Sequence, residues 1–127
     1  MRQDKMKIKS FTNLNAWKEG HKLVLMVYKK IASFPNNELY GLVSQMKRAV
    51  ISITSNIAEG FSRQSFKDKI RFYYMAMGSL TKLQNQLIIA RDVKLLGKDD
   101  FMKLADQSIK AHKIICGLIR STKLHSH

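Results

Sequence analysis

Residues 34–63 read FPNNELYGLVSQMKRAVISITSNIAEGFSR, and this run decides the fold. Pro35 ends whatever precedes it, because proline cannot continue a helix. Asn36 or Asn37 can cap a new helix through its side-chain oxygen. Glu38 follows in the first turn, where the helix dipole favours an anion. Leu39, Leu42, Met46, Ala49, Ile53 and Ile57 then recur at steps of three and four, which is one helix face. Val43, Val50 and Ile51 widen it. Gly60 reads as the stop, since glycine takes the left-handed cap conformation without strain.

The same period continues on both sides. Upstream, a helix is predicted over 14–32, with Asn13 as its cap. Leu14, Trp17, His21, Val24, Tyr28 and Ile31 form a heptad-like seam. Leu23, Met26 and Val27 lie on the other side, so the helix is apolar nearly all round and is expected to be buried twice. In a chain this small the second burial points to another subunit, which makes Leu23, Met26 and Val27 the candidate oligomer interface.

Downstream, Ser65 with Asp68 has the spacing of a capping box. Phe66, Ile70, Tyr73, Met77, Leu80, Gln84 and Leu87 give a third seam, continuing toward Val93. Phe72, Ala76, Leu83 and Ala90 flank it. Gly78-Ser79 falls mid-helix, where glycine costs about 1 kcal/mol against alanine. Its position predicts close approach of a neighbouring helix. Leu96-Gly97-Lys98 makes a turn. A fourth helix begins near Asp99-Asp100, acids suited to a helix N-terminus. Phe101, Leu104, Ala105, Ile109, Ile115, Leu118 and Ile119 are its inward side.

Four helices with short connections predict an all-α, antiparallel up-down-up-down four-helix bundle. The bundle occupies 13–122, between a basic N-terminal arm (1–12) and a polar tail (123–127). The arm carries Arg2, Lys5, Lys7 and Lys9 against Asp4. A chain of 127 residues suits one domain, and one proline with six glycines disfavours a strand-and-turn fold. No apolar run reaches membrane-spanning length, and the basic N-terminus lacks an apolar signal core, so a cytoplasmic protein with no membrane partner is expected. The single Cys116 rules out an internal disulfide.

Lys and Arg number 23 against 9 Asp and Glu, a formal net charge of +14. Such an excess in a short chain points to a polyanionic partner.

Several motifs together resemble a known family. They are Phe34-Pro35, Glu38-x-Tyr40-Gly41-Leu42, Gln45-x-x-Arg48-Ala49, Ser52-Ile53 and Asn56-Ile57-Ala58-Glu59-Gly60, with Phe11, Leu14-x-x-Trp17 and Ala76-x-Gly78-Ser79-Leu80 on either side. The chain resembles, over roughly residues 11–120, the bacterial four-helix bundle proteins encoded in intervening sequences of large-subunit ribosomal RNA genes. The resemblance implies a four-helix bundle assembling as a ring-shaped homopentamer with a central channel. A divergent branch of that family serves as accessory subunit to reverse transcriptases of diversity-generating retroelements. A protein-binding adaptor to such an enzyme is therefore the alternative reading. The positive charge of this chain sets it apart from many relatives.

The site candidates are mainly basic. Arg63, Lys67, Lys69 and Arg71 cluster at the start of helix 3. Lys103, Lys110, Lys113 and Arg120 form a slowly drifting stripe on helix 4, interrupted by Asp106, and Lys47 and Arg48 lie in helix 2. Such side chains contact phosphates without reading sequence. Asn56, Glu59, Gly60, Gly78 and Ser79 are read as structural. Asn56 is expected to bond backbone or a facing helix, and Glu59 to pair with Arg63, Arg48 or Arg71. No nucleophile, base or paired carboxylate accompanies them, so no enzyme is expected. His112 and Cys116 sit at i and i+4, and His21 lies on another helix, but a structural zinc site needs four ligands. No metal or cofactor is expected. Trp17, Tyr28, Phe72, Tyr73 and Tyr74 could stack on bases where exposed, but their helical spacing is that of core residues; Tyr74, off the main seam, is the exception. The expected function is non-enzymatic binding of RNA or DNA by a homo-oligomeric bundle.

Overall fold

The structure, a computed structural model, describes residues 11–126. Most of the expected arm and the terminal His127 lie outside them. Among the described residues there are four α-helices and no strand: α1 (Asn15–Ile31), α2 (Ser44–Ser62), α3 (Phe66–Asp92) and α4 (Lys98–Leu124). Each packs against the next in sequence, and α4 returns to α1, which closes a bundle.

α1 turns toward the core a face that is rotated from the predicted seam and shares Ile31 with it, while Leu14, Trp17 and Val24 of the seam pack at its edge. Ala16, Gly20, Leu23, Val27 and Ile31 are buried, and Leu23 and Val27 have no exposed surface. The expectation that Leu23 and Val27 form an oligomer interface is therefore corrected: the chain's own core covers them. Met26 is partly buried against that core. The small residues explain the choice of face. Ala16 and Gly20 let α1 approach α2 so closely that a Cβ on Gly20 would stand 3.1 Å from Thr54 Cγ2. The bulkier Trp17 is left on the flank, where it stacks on His21 with ring centroids 4.5 Å apart. Leu14, not Asn13, precedes the helix, and no side chain caps it.

α2 is entered differently from the sequence expectation. Asn36–Glu38 is a 3-10 turn, and Leu39–Val43 is a widened helical turn that departs from helical geometry at Gly41 (φ −101°, ψ −108°). Regular α-helix starts only at Ser44. From there Met46, Ala49, Ile53 and Ile57 are buried, with Val50 beside them. Gly60 is not the stop. The helix runs through it to Ser62, and Arg63 is the first extended residue (φ −73°, ψ 150°).

α3 begins as its sequence predicts, with Ser65 Oγ accepting from the Asp68 backbone N–H at 3.1 Å. Tyr73, Ala76, Leu80, Leu83, Leu87 and Ala90 are buried. Phe66 and Val93 are exposed. Gly78 is exposed too, and a Cβ added there would meet nothing within 4 Å. The predicted close approach at Gly78 is thus corrected; Gly60 makes it instead. α3 closes with Lys94 at φ 66°, the left-handed conformation. The Leu95 N–H donates to Ala90 O at 2.9 Å and the Lys94 N–H to Arg91 O at 3.0 Å, the paired bonds of a Schellman cap.

α4 carries Asp99 and Asp100 in its first turn. Its buried face is Leu104, Gln107, Ser108, Ala111, Ile115 and Ile119. Ile109, expected inside, is exposed. The helix extends to Leu124, past the expected end of the bundle.

Candidate nucleic-acid interface

The corner between α2 and α3 gathers the first basic group. Arg63 leaves α2 in extended form, and α3 starts three residues later. This brings Arg63 back over the half-buried Phe72. Two guanidinium groups stand over the ring, Arg63 at 4.5 Å and Arg71 at 4.6 Å from its centroid. Stacking of this kind favours the cation over a ring face. Both arginines also have carboxylate partners, Glu59 with Arg63 at 3.0 Å and Asp68 with Arg71 at 3.7 Å. Lys69 donates to Phe61 O at 2.6 Å, and burial lowers its pKa. Lys67 alone of this group is exposed with no side-chain bond to another described residue.

A second feature lies between α2 and α3 on the open side of their contact. It is a groove of about 440 Å³ lined by Ser44, Gln45, Arg48, Ser52, Ser79 and Lys82. Ser52 Oγ and Ser79 Oγ are 2.8 Å apart across the helix contact. Asn56 Nδ2 donates to Ser52 O at 2.9 Å and to Ser52 Oγ at 3.0 Å. The helical repeat puts Gln45, Arg48, Ser52 and Asn56 on one stripe of α2, which is why the first three share the groove edge and Asn56 reaches Ser52. Lys47, one residue from Arg48, points elsewhere: its ammonium stands 5.3 Å from the Tyr28 ring on α1.

The third group runs along α4. Lys103, Lys113 and Arg120 are exposed, and none has an ion-pair partner among the described residues. Lys110 stands 3.6 Å from Glu19 of α1. Gln107, buried, donates to Glu19 O and to Glu19 Oε1, both at 2.9 Å. The Gln107 bond, reinforced by the Lys110 charge, lowers the Glu19 pKa against the opposing effect of burial. Near the far end of α1, Lys30 bonds Asp100 at 2.6 Å and lowers its pKa.

The ten predicted basic residues therefore fall in separate places. The corner and the groove are built on α2 and α3, and the stripe on α4. Sequence reasoning missed Lys82, Ser44, Gln45 and Ser52 as neighbours of Arg48. The i, i+3, i+7 spacing of Gln45, Arg48 and Ser52 carried the signal, but a polar stripe reads as solvated surface until a second helix meets it. Of the predicted aromatic core, Tyr73 is buried, while Tyr28 and Tyr74 are at the surface. The Tyr74 hydroxyl accepts from Lys123 Nζ at 2.8 Å. Cys116 Sγ lies 3.7 Å from His112 Nδ1 within α4. Among the described residues no three His, Cys, Asp or Glu side chains come together as a metal site would need. Nor is any described helix long and apolar enough to cross a membrane.

Comparison with known proteins gives one family and one fold. The model of the 23S rRNA-intervening sequence protein family matches residues 12–117. No curated protein matches the chain in sequence. A crystal structure of a protein of unknown function from the S23 ribosomal protein family of Bacteroides thetaiotaomicron superimposes with a TM-score of 0.77. The two share 16% sequence identity over 83% of this chain and 95% of that one, so the likeness is one of fold.

Proposed function

The chain belongs to the 23S rRNA-intervening sequence protein family, and from that premise we propose that it is a non-enzymatic, cytoplasmic protein that binds RNA or DNA through its basic surface. One observation carries this reading. The acids are largely engaged inside the chain, while many cations are not. Glu19, Glu59, Asp68, Asp92 and Asp100 each have a basic partner. Arg48, Lys67, Lys82, Lys113 and Arg120 have no acidic partner among the described residues, and Lys103 makes no ion pair there, although its charge acts on Asp100. Glu38, Asp99 and Asp106 stand outside any ion pair among the described residues as well, so the unpaired charge is positive on balance, on α2, α3 and α4. Such cations contact phosphates and release counterions, giving weak sequence preference and steep salt dependence.

The bundle is read as antiparallel, up-down-up-down. The support is the order in which residues meet: Ser52 meets Ser79 while Gly60 meets Tyr73, and Glu19 meets Gln107 while Lys30 meets Asp100. The chain is also read as a ring-like homo-oligomer, a homopentamer on the strength of the family resemblance. Supporting that reading, Ile88, Ile89 and Val93 of α3 with Met102 and Ile109 of α4 keep more than 40% of their surface exposed. A ring would repeat each basic group around its axis, so modest contacts would add.

The deciding experiment is a salt titration of fluorescence anisotropy with labelled RNA and DNA. Binding to either that falls steeply with salt is expected. No binding at low salt would replace this reading by the adaptor, which would hold a protein partner such as a reverse transcriptase at salt levels that abolish polyanion binding. Native mass spectrometry at micromolar concentration tests the ring, and a stable monomer would refute it.

A further inference from the structure

The charged and polar lining of the groove between α2 and α3 suits an anion; its one apolar lining residue is Ala49. Its wall from α2 carries the Arg48 guanidinium, and its wall from α3 the Lys82 ammonium. Neither makes an ion pair or side-chain hydrogen bond with another described residue, and no carboxylate lines the groove. Arg offers a planar fork of N–H donors and Lys three donors on a point charge, and neither accepts.

The hydroxyls between them add a further donor. Ser52 and Ser79 carry one hydroxyl proton each, and their mutual bond uses one of the two. Asn56 Nδ2 already donates to Ser52 Oγ, which fills an acceptor position of that oxygen and supplies none for the remaining proton. No other acceptor among the described residues takes it. One proton of the pair is therefore left over, on oxygens that line the groove. Ser44 and Gln45 at the groove edge likewise make no side-chain bond to a described residue. A cation would find no charged ligand here. An oxyanion would find two charges and several N–H and O–H donors.

The geometry points to this groove as a phosphate-binding site for a nucleic-acid backbone, with Arg48 and Lys82 gripping the phosphate and the Ser52–Ser79 pair donating to it. The inference rests on the nucleic-acid reading above and gives it a location. The same α2 stripe leads on toward Arg63. Fifteen residues separate Arg48 from Arg63, which is roughly 22 Å of helix. A strand seated in the groove is thereby directed to the α2–α3 corner, where the Lys67 ammonium is available.

The test compares the full chain with Arg48→Gln/Lys82→Gln and with Lys18→Gln/Lys22→Gln. The second pair removes the same charge from exposed positions on α1. Anisotropy is measured with a labelled single-stranded RNA and a DNA of the same length, across a range of salt. The groove variant should bind roughly tenfold or more weakly at about 0.1 M salt, with a log–log salt slope flatter by about 0.7 on a single strand, the value for the one phosphate no longer neutralised. The α1 variant should weaken less and keep its slope. Gln45→Glu places a carboxylate in the groove without changing side-chain size, and should weaken binding on its own. Ser79→Ala should weaken binding while leaving the slope unchanged.

If the wild type binds but the groove variants bind no worse than the α1 variant, the groove assignment is wrong and the general reading stands. If the wild type binds neither polymer at low salt, the general reading fails and takes the groove with it. A labelled poly-glutamate supplies the remaining arm. If the wild type binds it as tightly as RNA and the groove variants weaken equally toward both, the groove takes an acidic protein and the proposal is overturned. Inorganic phosphate that displaces RNA from the wild type but not from the residual binding of Arg48→Gln/Lys82→Gln would support it.

Discussion

Gly60 of α2 lies against the ring of Tyr73 on α3, so close that a Cβ on Gly60 would stand 2.7 Å from Tyr73 Cε1 and 3.0 Å from Phe72 Cβ. Tyr73 is 2% exposed and cannot swing away. Glycine is therefore required at position 60 for helix packing, not for chain reversal. Gly60→Ala should destabilise the bundle by about 1–3 kcal/mol, the usual range for overfilling a packed site. Thermal unfolding of the two proteins checks this, and an unchanged melting temperature would show that α3 can shift freely.

Gly78 should behave in the opposite way. It is helical and exposed, with open space where its Cβ would be. Gly78→Ala should gain up to about 1 kcal/mol from helix propensity alone. The same unfolding experiment reads it. A decrease in stability would place a neighbour at Gly78 that the single chain does not contain, such as a second subunit.

These two glycines show where the sequence was legible and where it was not. Periodicity located four helices, since apolar spacing reports which positions can share a face. It could not say which of two glycines met a neighbour, because that depends on how α2 and α3 are set against each other. In α1 both faces were apolar, and the inward one was chosen by Ala16 and Gly20, the small residues that permit approach to Thr54. Size, not hydrophobicity, made that choice. For the candidate site, the basic residues were visible in the sequence, but their partners were not. Glu59 and Asp68 occupy Arg63 and Arg71 through local spacing, whereas the meeting of Arg48 with Lys82 needs two helices.

Lys94 ends α3 in the left-handed conformation, φ 66°, at the position where glycine is preferred. A side chain there costs about 1–2 kcal/mol, of which glycine's extra unfolded-state freedom returns a part. Lys94→Gly should therefore stabilise the fold by about 0.5–1 kcal/mol. The Schellman bonds from Leu95 and residue 94 would be retained. A decrease in melting temperature would mean that the lysine side chain contributes more than its backbone strain costs.

Glu19 links stability to pH. Its pKa is lowered in the folded chain, chiefly by the Gln107 bond and then by Lys110. A carboxyl with a lowered folded pKa stabilises the fold fully above its unfolded pKa, and that contribution disappears as pH falls through the folded value. The wild type should thus lose stability on acidification more steeply than Glu19→Gln. Above the ordinary carboxylate range the variant should be the less stable of the two, with the gap narrowing in acid. Melting curves from neutral pH to about pH 3 check this, the window in which carboxylates titrate. A gap that does not change with pH would assign the effect to packing.

The corner at Phe72 separates charge from availability. Arg63, Lys67 and Arg71 each add one positive charge at the start of α3. Arg63 and Arg71 are each held by a carboxylate and by the Phe72 ring, whereas no described residue holds Lys67. The salt slope of nucleic-acid binding counts phosphates neutralised, not net charge. Lys67→Gln alone should then flatten the slope by about 0.7 on a single strand. Arg63→Gln or Arg71→Gln should change it less, since a phosphate must first compete with Glu59 or Asp68. Neutralising all three should weaken binding about evenly across sequences, as removal of phosphate-binding side chains does. Equal slopes for the three single variants would show that the pairs at the corner open on binding. A slope untouched even by the triple variant would remove the corner from the interface and leave the groove and α4 to account for the charge.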